Sequence, residues 1–228
     1  MSKSLEQKIM SAVDRAIKPH VLKEAYVLAP KKFNLTTEKL SEKAKRLILD
    51  QFEKSVQALN RISAQLDGAD LSQADNVYGS NFRNLKIAES YGISDSFLKA
   101  EFLGNISDVN SSIAMDMLCY MRLARDFGDF DSWQQNFLAC AKSSRGGYAV
   151  TAYNFYLRRY INIIVDDAEC GIPLGSFPVI VLDVGRECFT RDYLDDLDSY
   201  IRNMMRELNW QEIEERFKKA EKIAKVFG

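Results

Sequence analysis

The side chains that most often do chemistry are scarce in this sequence. It holds a single histidine, His20, beside Pro19. A serine or cysteine nucleophile that relies on an imidazole base has no candidate base nearer than this one. The four cysteines, Cys119, Cys140, Cys170 and Cys188, show no CxxC spacing and sit in apolar stretches. That is the pattern of reduced, buried thiols. No phosphate-binding loop of the GxxxxGK type occurs, and Arg145-Gly146-Gly147 reads as a turn. Tyr148, Tyr153, Phe155, Tyr156 and Tyr160 lie among β-formers, so strand packing accounts for them better than a stacking platform for bases.

The elements that must position these residues follow from the apolar spacing. Leu5, Ile9, Val13, Ala16 and Ile17 predict an amphipathic helix over 3–17, ended by Pro19. Thr36 or Thr37 caps a long helix whose apolar face is lined by Leu40, Ala44, Leu47, Ile48, Phe52, Val56, Leu59, Ile62 and Leu66. Helical patterns recur over 82–91, 94–103, 106–125 and 131–143. Three strand-like runs then follow, from Tyr148, Tyr160 and Phe177. Two helices, 190–206 and 209–226, close the chain. The last carries Trp210, Ile213, Phe217, Ala220, Ala224 and Phe227 at alternating spacings of three and four. The fold class is α+β, with a helical hairpin domain before a three-stranded antiparallel sheet flanked by helices. The domain reading is an extension over 1–35, a helical domain over 36–126 and an α/β domain over 127–228.

Composition narrows the function classes. The 228 residues carry 31 Lys and Arg against 32 Asp and Glu, a net charge of −1. A nucleic-acid-wrapping protein shows a basic excess, and none is present, so direct contact with nucleic acid is not expected. No run approaches the length of a membrane span, and the first residues lack a secretory core, which points to the cytoplasm. Charge is polarised: residues 1–70 carry 13 basic against 9 acidic side chains, and 166–200 carry 9 acidic side chains against Arg186 and Arg191.

Several segments resemble the iron/manganese superoxide dismutases. Phe127-Gly128-Asp129-Phe130-Asp131 is similar to the family's FGSFD segment, and Gly171-Ile172-Pro173-Leu174 to its GTPL. The run from Val179 to Tyr193, with Asp192-Tyr193 in register, resembles LLTVDVWEHAYYIDY, and Leu208-Asn209-Trp210 resembles its VNW. Residues 40–62 and 105–115 resemble the two metal-bearing helices of its N-terminal half. The resemblance implies a metal held by three His and one Asp. Carried over, the Asp is kept as Asp183, the last His falls on Glu187, the second-helix His on Ser112, and the first on Ile48 or Leu47. The active-site Tyr falls on Val56 or Ser55 and the iron-type Gln on Asp108. The motif's Trp falls on Gly185, and the Glu that reaches across the family's dimer falls on Arg186.

The expectation is therefore a pseudoenzyme: a non-catalytic structural or interaction protein with no metal and no cofactor. It would assemble with other protein subunits or with itself, in a virion or an organellar-ribosome-like particle. Arg186, Trp210, Ile213 and Phe217 are its interaction candidates. Two alternatives stand beside it. One is a dismutase-fold enzyme with an altered metal site, with Asp183, Glu187 and Asp108 as carboxylates for a hard cation. The other is a regulatory partner of an active dismutase, docked through Arg186.

Overall fold

The structure, a computed structural model, describes residues 26–74, 78–109, 111–166 and 172–227. The expected helix over 3–17, His20 and Cys170 lie outside these residues. Helix α1 spans Glu42–Asp67 and buries Ala44, Ile48, Phe52, Val56, Leu59 and Leu66, most of the face expected from the sequence, with Leu47 and Ile62 half-buried at its margin. Its cap is Ser41 rather than Thr36 or Thr37. The Ser41 hydroxyl accepts from the Ala44 amide at 3.2 Å, while Thr37 accepts from Lys39 and Thr36 from Val109. Helix α2, Asn81–Asn105, joins the two shorter segments expected over 82–91 and 94–103. Gly92 does not break it, because its bare Cα lets Leu59 of α1 pack close. The pairs Leu59–Gly92 and Ser55–Asp95 show that the two helices run antiparallel.

The helix expected over 106–125 forms only in its second half, as α3, Leu118–Phe127. Residues 106–109 and 111–117 are not helical. Asp108 takes a left-handed backbone (φ 48°), and its amide and carboxylate bind Asn34 at 3.0 and 2.7 Å. The N-terminus of α3 has no side-chain cap of its own; Glu214 accepts from the Leu118 and Cys119 amides at 3.1 and 2.9 Å. Helix α4, Phe130–Ser143, starts one residue before the expected Asp131, with Asp129 as its cap.

The sheet is antiparallel in the order β2-β1-β3, from β1 (Tyr148–Asn154), β2 (Arg159–Val165) and β3 (Ser176–Asp183). Pro178 lies on the edge strand β3, beside a register shift at Thr151/Ala152, where a missing amide is tolerated. The first closing helix is two: α5, Arg186–Tyr193, and α6, Leu197–Arg206, broken at Leu194 (φ 53°) and restarted by the Asp196 cap. Helix α7 spans Trp210–Phe227.

One apolar core runs through both halves, from Leu35 to Ala220. Trp210, Ile213 and Phe217 lie inside it. Trp210 meets Phe130 and Trp133, and Phe217 stacks on Tyr160 at 4.4 Å. These three are corrected from interaction candidates to core residues, since a partner would have to displace the aromatic cluster to reach them. Arg216, 3% exposed, ties α7 to α2 through Glu101 at 2.8 Å and through Asn105, whose amide also donates to Val181 of β3 at 2.8 Å. Phe217→Ala should therefore cost about 3–5 kcal/mol in urea unfolding. A loss under about 1 kcal/mol would contradict this placement.

Candidate active site

Where the helical hairpin meets the sheet there is an open cavity of about 750 Å³. Helix α1 lines it with Gln51, Lys54, Ser55 and Ala58, and α2 with Tyr91, Asp95 and Lys99. Those spacings of three and four place each set on one face of its helix. The β3–α5 turn adds Asp183, Gly185, Arg186, Glu187 and Cys188. Tyr148 enters from β1 because the sheet register sets it opposite Asp183.

Asp95 sits at the centre of the cavity's polar contacts. It forms an ion pair with Lys99 one turn on, accepts from the Ser55 hydroxyl at 2.6 Å, and accepts from the Tyr148 phenol at 3.4 Å. Asp183 is buried, and burial pushes its carboxyl above the ordinary carboxylate range. The Gly185 amide at 2.8 Å, the Cys188 thiol and the Lys99 charge oppose that shift, and Asp95 reinforces it. Any side chain at Gly185 would press on the Asp183 carboxylate, so the bare Cα is what allows the amide contact. Burial first, then the Asp183 charge, raises Cys188 well above an ordinary thiol, which keeps it protonated rather than nucleophilic. Tyr148 is raised in the same way, chiefly by burial, and remains a donor. Glu187 accepts from Gln51.

The sequence-derived positions separate here. Asp183 and Glu187 are brought to the cavity, as is Ser55. Ile48 is not; it is 4% exposed and part of the α1 core face. Ser112 is exposed in the non-helical segment before α3, and Asp108 is held in a turn by Asn34. Neither lines the cavity, so the carboxylate cluster of Asp183, Glu187 and Asp108 does not form. The second helix of the hairpin is α2, and it presents Asp95 and Lys99 instead of Ser112. The missed signal was the series Tyr91, Asp95, Lys99 at helical spacing, with the acid N-terminal to the base, the favoured order of such pairs. Arg186 is exposed and pairs with Asp195 at 3.1 Å. Among the described residues no group of three or more His, Cys, Asp or Glu is placed to hold a metal ion.

Residues 118–216 match the family model described as iron/manganese superoxide dismutases, C-terminal domain. The chain is 33% identical over 99 residues to superoxide dismutase (Mn) 1 of Halobacterium salinarum, covering 43% of this chain and 49% of that protein. It is 36% identical over 72 residues to superoxide dismutase (Mn) 1 of Haloferax mediterranei, covering 32% and 49%. It is 29% identical over 105 residues to superoxide dismutase (Mn) of Nocardia asteroides, covering 45% and 51%. The chain thus spans about half the length of the curated relatives it matches. The fold agrees with this family, a helical N-terminal part before a three-stranded antiparallel sheet with helices.

These relatives correct the functional expectation. They are named as enzymes, so the reading of a pseudoenzyme, a non-catalytic structural subunit of a virion or ribosome-like particle, is withdrawn. No helix among the described residues is long and apolar enough to cross a membrane.

The raised Asp183 carboxyl has a consequence for stability. Its ionisation opposes folding, so its contribution is most favourable at acid pH and is lost as pH rises through its folded value. Asp183→Asn should therefore gain on the wild type as pH increases from the ordinary carboxylate range towards neutrality, in denaturation series at matched ionic strength. A difference that shrinks with rising pH would contradict the burial argument.

Proposed function

We propose that this chain is an enzyme of the superoxide dismutase type with an altered centre, whose reaction site is the cavity around Asp95, Lys99 and Asp183 and whose substrate is a small anion such as superoxide. The observation that carries this reading is that Asp183, the carboxylate kept from the family's metal set, lines an open cavity at the junction of the hairpin and the sheet. The relatives' names supply the reaction class.

The family's manganese or iron calls for three imidazoles beside one carboxylate, and the residues here do not fit it. His20 is the only imidazole in the chain. The carboxylate oxygens of Asp95 already serve Lys99, Ser55 and Tyr148. A degenerate metal site is thus part of the proposal; Glu187 is the altered position that lines the cavity, while Ile48 and Ser112 lie outside it.

What the chain's own residues supply is charge and protons. Superoxide dismutation joins two anions with two protons to give dioxygen and hydrogen peroxide. The Lys99 ammonium offsets the charge of an entering anion, and Lys54, Arg61 and Arg186 line the same cavity. The Asp183 carboxyl, raised by burial, stays protonated to higher pH than an exposed one and suits proton delivery. Tyr148 presents a protonated phenol. Cys119, Cys140 and Cys188 are free thiols, which suits the cytoplasm. Self-association is the partner reading retained.

The test is superoxide consumption by the purified protein, with iron and manganese measured in the same sample. The proposal expects consumption above the protein-free rate, reduced roughly a hundredfold by Asp183→Asn as a proton donor is lost. A rate equal to the protein-free control, in every sample, would overturn it.

A further inference from the structure

We infer that the resident cation of the cavity is the Lys99 side chain itself, whose ammonium, paired with Asp95 beside Asp183, takes the charge position of a divalent metal ion and closes the site to one. The inference rests on reading this cavity as the centre, and adds what fills it.

The first support is position. Lys99 lies one helical turn beyond Asp95, so the same face of α2 carries both partners into the cavity. The ammonium is close enough to Asp183 and Cys188 to act electrostatically on both. It is only about one-fifth exposed, and Asp95 about one-eighth, so the pair is shielded from bulk water.

The second support is an account of the cavity's carboxylates, the anionic ligands it offers to a hard cation among the described residues. Asp95 holds Lys99, Ser55 and Tyr148. Asp183 accepts from the Gly185 amide and the Cys188 thiol. Glu187 is bound by Gln51 of α1, across the cavity mouth. Asp166 accepts from the Arg145 amide at 2.9 Å. Each carboxylate is therefore committed to a donor of this chain, and a metal ion would have to displace several of them next to a fixed positive charge.

The third support is how Lys54 and Arg186, two other cations of the lining, are used. Lys54 pairs with Asp50 at 2.7 Å and Arg186 with Asp195 at 3.1 Å, and neither Asp50 nor Asp195 lines the cavity. Of these three, Lys99 is the one whose ion pair lies within the cavity.

The test uses the full chain and Mn²⁺ alone, read by equilibrium dialysis and by the thermal midpoint in millimolar Mn²⁺. Wild type and Lys99→Arg should take up no stoichiometric metal, with unchanged midpoints. Lys99→Gln leaves Asp95 and Asp183 without their cation, and should bind Mn²⁺ and rise in midpoint when it is added. Should Lys99→Gln fail to fold alone, Lys99→Gln with Asp95→Asn neutralises both partners; it should fold without metal and show no rise. Stoichiometric Mn²⁺ in the wild type, or a folded Lys99→Gln indifferent to Mn²⁺, would overturn the inference. Neither readout depends on superoxide consumption, so failure here is separable from failure of the proposed function.

Discussion

An ion pair drawn away from water costs more in lost hydration than it returns, unless every neighbour is in place to receive it. The Asp95–Lys99 pair is such a group, and its neighbours come from most of the fold. Ser55 ties it to α1, and Tyr148 ties it to β1, set by register opposite Asp183 on β3. The β3–α5 turn closes the arrangement with Gly185 and Cys188. Loss of any one contact leaves a charged group short of partners where water cannot fully replace them.

The remainder of the structure holds α2 where this pair needs it. Two and six residues beyond Lys99, Glu101 and Asn105 receive Arg216 from α7, and Asn105 also donates to β3. The aromatic cluster of Phe130, Trp133 and Trp210 then fixes α7 against the sheet and α4. On the other side of the hairpin, Asp192 of α5 receives both the Ser41 amide and hydroxyl, locking the start of α1 to the helix that follows the site. The apolar face of α1, with Ile48 inside it, completes a core that needs no ligand from that position.

The architecture was largely legible from residue patterns, because burial on one helix face and β-rich runs leave strong periodic signals. The three strands and the long first helix follow from those signals alone. Junctions were less legible. The stretch 190–206 holds no Pro or Gly, the usual breakers, to mark where Leu194 turns left-handed and splits the segment. The patterns over 82–91 and 94–103 join into one helix, in which Gly92 packs close on Leu59. For the site, Asp183 and Glu187 could be read because they lie in a contiguous similar segment. Asp95 and Lys99 could not, because the second helix was set too far along the chain, and Ser112 took the place of the true cavity face. An acid and a base four apart on a polar stripe look like any solvated helix surface until the opposing helix and strand are known. The function class was misread for a related reason: a missing set of histidines speaks to one kind of centre, not to whether the chain is an enzyme.

Whether the Lys99 ammonium stands where a metal ion would otherwise sit is decided by crystallography of the wild-type protein grown or soaked in Mn²⁺, with anomalous data at the manganese edge. No anomalous peak is expected in the cavity, with Lys99 ordered and paired with Asp95. A peak coordinated by Asp183, with Lys99 turned away from Asp95, would contradict it.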